Sequence, residues 1–198
     1  MALPSYLHKN PLLRMMARYR VRVLASRLRR YLRPENAVMD YGCGLGVLFP
    51  TLAATAKTLY GVDLELGPAR MTAKYCGLDN VRFCTPDAMA TTIQKASLEA
   101  IVCGEVLEHI DDMTGLMAIF QNLLTKDGRL VVTLPTENWA YRFGRKLAGF
   151  HGHYHLHDAM ALDRKIQSHG FVPVFRKKIP LPGPLAIYWL VEYSFSRA

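Results

Sequence analysis

The sequence predicts an α/β fold in which a largely parallel sheet is joined by crossover helices. Three observations indicate this fold. Short apolar runs alternate with helical stretches after Glu35, which is typical of parallel sheets. A glycine-rich turn follows the first of these runs. The 198 residues, 51% of them hydrophobic, suffice for one globular domain with a substantial core. We therefore expect a single domain over residues 35–198, preceded by a helical extension over residues 1–34.

The N-terminal segment is strongly basic. The chain has a net charge of +9, and residues 1–34 carry nine basic side chains and no acidic one. Apolar residues recur at helical spacing, while arginines follow another stripe; the apolar positions are Leu13, Ala17, Val21, Leu24 and Leu28. The segment therefore predicts a basic amphipathic helix that ends near Pro34.

This helix has several interpretations. It could cap the domain with its arginines in solvent, or lie on an anionic membrane surface. Nucleic-acid binding is disfavoured because few aromatic residues and no reader motif accompany the arginines. An organellar transit peptide would have a similar composition. The longest apolar run near the end, 185–191, is far shorter than the roughly 18 residues of a membrane span. Without CxxC spacing or a secretory h-region, we expect a cytoplasmic protein with reduced thiols, and membrane association stays open.

The elements of the domain follow in order. The glycine turn comes after the first predicted strand, and Gly170 is expected to end the last helix. Predicted strands are 37–40, 58–62, 81–84, 100–103 and 129–134, and predicted helices are 48–57, 68–76, 113–124 and 162–169. The last two apolar runs, 171–175 and 185–191, could pair as an antiparallel hairpin at the sheet edge.

The turn after the first strand indicates a ligand site. Glycines at 42, 44 and 46 give a GxGxG spacing, and position 47 is Val where a dinucleotide fingerprint needs glycine. Asp40 precedes the turn by two residues. A carboxylate there would repel a pyrophosphate but suits an ammonium group. The pattern therefore favours a cationic cofactor over a nicotinamide dinucleotide.

Two further aspartates follow the next two strands. Asp63 comes after the second strand, where a carboxylate can accept both hydroxyls of a ribose. Asp87 comes after the third strand, where an acceptor could bind the amino group of an adenine. Either residue alone could be a turn or helix cap. Acids at three successive strand ends beside a glycine turn favour a nucleoside-containing ligand.

At this point the sequence resembles the class I S-adenosylmethionine-dependent methyltransferases, in particular the small ubiquinone-biosynthesis-like group. The resemblance spans about residues 37–175, and its matching stretches are VMDYGCGLG at 38–46, LYGVDLE at 59–65, PDAMA at 86–90, IVCGEVLEHIDD at 101–112 and LLTKDGRLVVTLPT at 123–136. It implies a Rossmann-like, doubly wound, seven-stranded sheet, mostly parallel with an antiparallel last strand. The cofactor half would span about 35–134, and the substrate side about 135–198.

The same resemblance implies S-adenosyl-L-methionine as the cofactor and assigns residues to it. The implied cofactor-binding residues are Asp40, Gly42, Gly44 and Gly46 around the methionine part, Asp63 at the ribose with Leu64 beside it, Asp87 and Ala88 beside the adenine, and Gly104 and Glu105 beneath the sulfonium.

Methyl transfer requires alignment of a nucleophile and, for a hydroxyl acceptor, a base. We expect His109, His155 and Glu105 to be catalytic. Glu105, Glu108 and His109 have i, i+3, i+4 spacing and would share a helix face. These three residues are also candidates for a divalent metal site, although a metal is not predicted. His155 lies in a run with histidines at 151, 153, 155 and 157, which is expected near the substrate cavity.

The acceptor side is less defined. Trp139, Tyr141 and Phe143 follow the fifth strand and could either wall an apolar cavity or pack against the N-terminal helix. We expect a small or lipid-like acceptor, methylated at oxygen because of the candidate histidine bases. A non-catalytic cofactor-binding scaffold is the alternative function, and a nicotinamide-dependent oxidoreductase is a less favoured one.

Overall fold

The computed structural model describes residues 9–136, 138 and 159–195. Its strands are β1 Ala37–Tyr41, β2 Thr58–Val62, β3 Val81–Cys84, β4 Leu98–Gly104, β5 Leu124–Pro135, β6 Phe171–Pro180 and β7 Ala186–Phe195. Its helices are α1 Pro11–Leu28, α2 Phe49–Ala53, α3 Gly67–Tyr75, α4 Met89–Thr92, α5 Met113–Leu123 and α6 Ala159–Ser168. Single 3-10 turns cover Leu107–His109 and Gly183–Leu185.

The strands form one seven-stranded sheet in the order β3-β2-β1-β4-β5-β7-β6. Neighbours from β3 through β5 run parallel, whereas β7 pairs antiparallel with both β5 and β6. This confirms the predicted fold class and the edge hairpin. The strand order reverses between β1 and β4, and ligands of such sheets bind beyond the carboxyl ends of the strands at this point.

Helices cover both faces of the sheet. On one face α4, α5 and α6 pack into a core that includes Phe120, Leu162 and Tyr193. On the other face α1, α2 and α3 share a core with the sheet that includes Leu28 and Phe49. Central strands are buried on both sides, as the pattern of β1 shows, and this is why they are continuous apolar runs in the sequence.

The N-terminal helix differs from its prediction in two ways. It ends at Leu28 rather than near Pro34, and turns closed by hydrogen bonds to the Leu28 carbonyl follow it. It packs on the sheet, but Arg20 and Arg27 form ion pairs with Glu105 and Glu192 instead of extending into solvent. No helix among the described residues has the length and hydropathy of a membrane span.

Candidate active site

A cavity of about 350 Å³ lies at the switch point of the sheet. Its walls are the turn after β1, the segment after β2, the end of β4, Thr133 of β5 and one flank of α1. Four acidic side chains and one cation line it: Asp40, Asp63, Glu65, Glu105 and Arg20. The excess of negative charge suits a ligand that carries positive groups.

The glycine turn requires glycine at specific positions. Gly42 and Gly46 have φ of +72° and +69°, and a Cβ on them would lie 2.5 Å from the Val106 side chain and 2.7 Å from the Phe49 ring. At Gly44, with φ of +50°, a Cβ would meet no atom within 4 Å, so a side chain there would occupy open cavity space. The turn therefore brings the backbone close to any bound ligand.

Asp40 is the most buried acid of the cavity, with 2% of its surface exposed. Burial, followed by repulsion from Asp63, raises the pKa of its carboxyl to about 7. A bound cation would offset both effects, because it stabilises the charged carboxylate. Asp40 lies in the cavity wall, and its contact with a ligand stays a prediction.

Asp63 joins the two loops of the cavity. One of its oxygens accepts a hydrogen bond from the Gly44 amide at 2.8 Å, and the other accepts from the Glu65 amide at 3.2 Å. The turn is also fixed on β2, because the amides of Gly42 and Cys43 donate to the Val62 carbonyl at 2.8 and 3.1 Å. The carboxylate of Asp63 therefore lies in the wall beside the turn, with acceptor capacity left for ligand hydroxyls.

Glu105 follows β4 with a φ of +60°, which is uncommon for a residue other than glycine. Its carboxylate pairs with the Arg20 guanidinium from α1, which also lies 4.8 Å from the centroid of the Tyr188 ring. Sequence reasoning missed Arg20 as a site residue. A signal was available, because position 20 falls on the apolar stripe of the helix, between Ala17 and Leu24.

Several predicted residues lie elsewhere. Leu64 is 85% exposed, and neither it nor Asp87 and Ala88 lines the cavity. Asp87 is exposed, and a hydrogen bond from the Thr85 side chain, assisted by backbone amides, lowers the pKa of its carboxyl. Asp87 thus serves a local turn, and the adenine contacts stay predictions.

The prediction of a shared α-helix face after β4 is wrong. Leu107–His109 form one 3-10 turn instead of an α-helix, and Glu105 precedes it with a left-handed backbone. Glu108 is buried, whereas His109 is exposed and does not line the cavity. Among the described residues, no cluster of three or more His, Cys, Asp or Glu could hold a metal ion. The catalytic role of His109 stays a prediction.

The remaining predicted site residues cannot be placed. His155 and the other histidines of its run, together with Trp139, Tyr141 and Phe143, lie outside the described residues.

Comparison with known proteins decides the family. Residues 16–174 match the family model described as a methyltransferase domain. The chain belongs to this family. The membership confirms the resemblance, the enzyme class and the cofactor, because methyltransferases of this family use S-adenosylmethionine.

The chain is similar in sequence to one group of methyltransferases and similar in fold to solved methyltransferase structures. A ubiquinone biosynthesis O-methyltransferase of Histophilus somni is 30% identical over 103 residues, which cover 48% of this chain and 43% of the relative. The chain therefore spans less than half the length of that protein. Magnesium protoporphyrin IX methyltransferase of Synechocystis, solved with bound S-adenosylhomocysteine, has a TM-score of 0.71 at 22% identity, covering 97% of this chain and 91% of that one. The 1,6-didemethyltoxoflavin-N1-methyltransferase of Burkholderia thailandensis has a TM-score of 0.66 at 20% identity, covering 89% of this chain and 78% of that one.

Proposed function

We propose that this methyltransferase transfers a methyl group to an oxygen atom of a small or lipid-like acceptor. The observation that carries the proposal is the acidic, glycine-walled cavity at the switch point of the sheet. Transfer to oxygen is supported by the relative named as an O-methyltransferase and by the candidate histidine bases. A lipid-like acceptor is consistent with the basic helix α1 that forms one wall of the cavity.

The residues in the cavity wall fit S-adenosylmethionine. Asp40 would bind the ammonium group of its amino-acid part, and Arg20 would bind the carboxylate by exchanging part of its pairing with Glu105. Asp63 would accept the ribose hydroxyls, and the open space at Gly44 would admit the ligand against the backbone. When bound, this cofactor supplies an electrophilic methyl group on a positively charged sulfur.

The residues of the chain would contribute to methyl transfer in three ways. The walls of the cavity exclude water and hold both reactants in line. The negative charges of Asp40, Asp63 and Glu105 attract the positively charged donor form more than the neutral product form, which assists product release. A base, for which His109 and His155 are the predicted candidates, would accept the proton of an acceptor hydroxyl.

Membrane association belongs to the same proposal. Arg18 is exposed on α1 and Arg29 and Arg33 are exposed in the segment that follows it, and Met15 on this helix is 57% exposed. Basic side chains beside apolar ones are the composition by which helices bind anionic lipid surfaces. We propose that the protein acts at the cytoplasmic side of such a surface.

Calorimetry with S-adenosylhomocysteine is the first test, with NAD as the competing ligand. We expect saturable binding of S-adenosylhomocysteine alone, weakened at least tenfold by Asp63→Ala, because this substitution removes the ribose acceptor and the Gly44 contact. Asp127→Ala, at an exposed position on the same chain, is the matched control. Binding of NAD instead would favour the oxidoreductase alternative.

Methyl transfer itself is measured with isotopically labelled S-adenosylmethionine. The acceptors are polyprenyl phenols and hydroxyquinones, and matched amines serve as the comparison. Mass spectrometry of the product then locates the label. Label on nitrogen would contradict transfer to oxygen, and cofactor binding without turnover on any acceptor class would favour the scaffold alternative.

A further inference from the structure

A second cavity, of about 340 Å³, lies on the opposite flank of α1, between this helix and β6 and β7. We name it the α1–β6 groove. Its polar lining consists of the cations Arg22, Arg27, Arg30 and Lys177 with Ser26, and its less polar lining consists of Tyr19, Val23, Phe175 and Leu190. No acidic residue among the described ones lines it. The groove therefore has the opposite charge to the cofactor cavity on the other flank.

One of the four cations is already neutralised. Arg27 pairs with Glu192, whose side chain is 3% exposed, and its guanidinium lies 4.1 Å from the centroid of the Phe175 ring. This arrangement fixes the helix and the floor of the groove in place. It leaves the charge of the other three side chains unbalanced.

Arg22, Arg30 and Lys177 are exposed at the rim of the groove. In the part of the chain that the structure describes, the ion pairs within 4.0 Å involve other cations. Arg22 lies on α1, Arg30 lies in the turn that follows this helix, and Lys177 lies on the neighbouring strand β6. They therefore converge on the groove from two sides and would repel one another unless an anion binds between them.

The chemistry of the lining indicates the class of ligand. Two guanidinium forks and an ammonium group suit phosphate oxygens, which arginine binds in bidentate geometry. The floor formed by Phe175 and Leu190 suits an apolar or glycerol part attached to that phosphate. A free inorganic anion would leave this floor unused.

The α1–β6 groove lies near exposed apolar side chains that could contact a lipid surface. Exposed apolar side chains lie on α1, where Met15 is 57% exposed and Tyr19 37%. Others lie in the connection between β6 and β7, where Leu181 is 54% exposed and Leu185 46%. Tyr188, the residue below Arg20, pairs with Pro135 at the carboxyl end of β5. The apolar connection therefore lies at the sheet edge that also carries the cofactor cavity.

We propose that the α1–β6 groove binds the phosphate of an anionic phospholipid headgroup and thereby seats this edge of the protein on a membrane. The inference rests on the proposed function in one respect, because it names the surface from which a lipid-like acceptor would reach the cavity. Headgroup binding can be measured without methyl transfer, so that either proposal can fail alone.

The test is co-sedimentation of the full chain with phosphatidylcholine vesicles that contain or lack phosphatidylglycerol. Each basic residue near an anionic surface contributes about fivefold to binding. We expect Arg22→Gln with Arg30→Gln to reduce the partition to anionic vesicles by about 25-fold, and Lys177→Gln alone to reduce it by about fivefold. The matched control is Lys95→Gln with Lys126→Gln, which removes the same charge from exposed positions at the amino ends of β4 and β5, on the opposite edge of the sheet, with an expected loss of less than about twofold.

Several outcomes would overturn the proposal. Equal losses in the two double variants would mean that vesicle binding depends only on the total charge of the protein. Absence of vesicle binding by the unmodified chain would also contradict it, as would binding of glycerol 3-phosphate or of a single-stranded oligonucleotide in its place. Calorimetry with S-adenosylhomocysteine accompanies each variant, and retained binding shows that the variant is folded. If the unmodified chain does not bind S-adenosylhomocysteine, this result contradicts the proposed function alone.

Discussion

Asp40 has conflicting effects on stability and on binding. Its carboxyl is buried, and burial together with the neighbouring charge of Asp63 raises its pKa to about 7. The ionised form is therefore unfavourable in the empty protein. The same ionised form is what an ammonium group of a ligand requires. The residue thus illustrates a site in which stability is given up for ligand binding.

The pH dependence of stability follows from this pKa. An unfolded aspartate titrates near 4, so the native state holds an additional proton between about pH 4 and pH 7, and stability falls as the pH rises through this window. A carboxyl pKa of about 7 in the native state against about 4 in the unfolded state corresponds to at most about 4 kcal/mol of stability. We expect Asp40→Asn to raise the free energy of unfolding at pH 8 by about 1–4 kcal/mol, with a gain that shrinks towards pH 4.

Urea denaturation at pH 5 and pH 8 measures this effect, and Asp127→Asn is the exposed control. Calorimetry at pH 8 should show at least tenfold weaker binding of S-adenosylhomocysteine by Asp40→Asn, because the carboxylate that pairs with the ammonium is gone. A variant that is less stable than the unmodified protein at pH 8 would contradict the raised pKa.

At the scale of elements, α1 depends on packing for its stability. An isolated helix of 18 residues is marginal in water, and its first turn contains no acidic residue to interact with the helix dipole. It is held by Leu24 and Leu28, which are 2% and 1% exposed, and by the pair between Arg27 and Glu192. The helix is thus part of the core on that face of the sheet.

The docking of α1 can be tested by one core substitution. Leu28→Ala should lower the free energy of unfolding by about 2–5 kcal/mol, because it removes buried methyl groups and leaves a cavity between helix and sheet. Met15→Ala, at an exposed position of the same helix, should change it by less than about 0.5 kcal/mol. Urea denaturation of both variants measures the difference. Similar small effects of the two substitutions would show that the helix is not anchored on the sheet.

The elements also show what the sequence can predict. The runs 58–62 and 81–84 match β2 and β3 in full. The central strands β1 and β4 could be located because parallel strands that are buried on both faces are largely apolar. The end of α1 and the 3-10 turn at Leu107–His109 were not predicted. In both places the chain follows tertiary contacts rather than a periodic pattern, as the pairing of Glu105 with Arg20 illustrates.

The sequence predicts part of the candidate site, as it predicts part of the fold, because some residues have fixed positions relative to the strands. Asp40, Asp63 and the glycine turn could be found because they occupy fixed places at strand ends. Arg20 is 84 positions or more distant from the cavity residues of β4 and β5 in the sequence, and only the packing of α1 brings it to them. The residues predicted to contact the adenine and the acceptor do not occupy such fixed positions among the residues that the structure describes.

At the scale of the whole molecule, the cavity at the switch point of the sheet is formed by several segments that are far apart in the sequence. Residues from Arg20 on α1 to Thr133 on β5 line it, so it exists only when helix and sheet have both folded. Ligand binding to such a cavity is coupled to global folding, because an unfolded chain holds no part of the site. The groove on the other flank of α1 depends on the same docked helix.

This coupling predicts a thermal shift. A ligand at 100 times its Kd stabilises the native state by about 2.7 kcal/mol, which corresponds to about 5–10 °C in Tm for a chain of this size. We expect S-adenosylhomocysteine to produce this shift in calorimetric scans, and NAD at the same concentration to produce none. Asp63→Ala should lose at least about half of the shift at that concentration, whereas Asp127→Ala should keep it. An undiminished shift in Asp63→Ala would mean that the ligand binds elsewhere, and the assignment of the cavity would then fail even though the protein binds its cofactor.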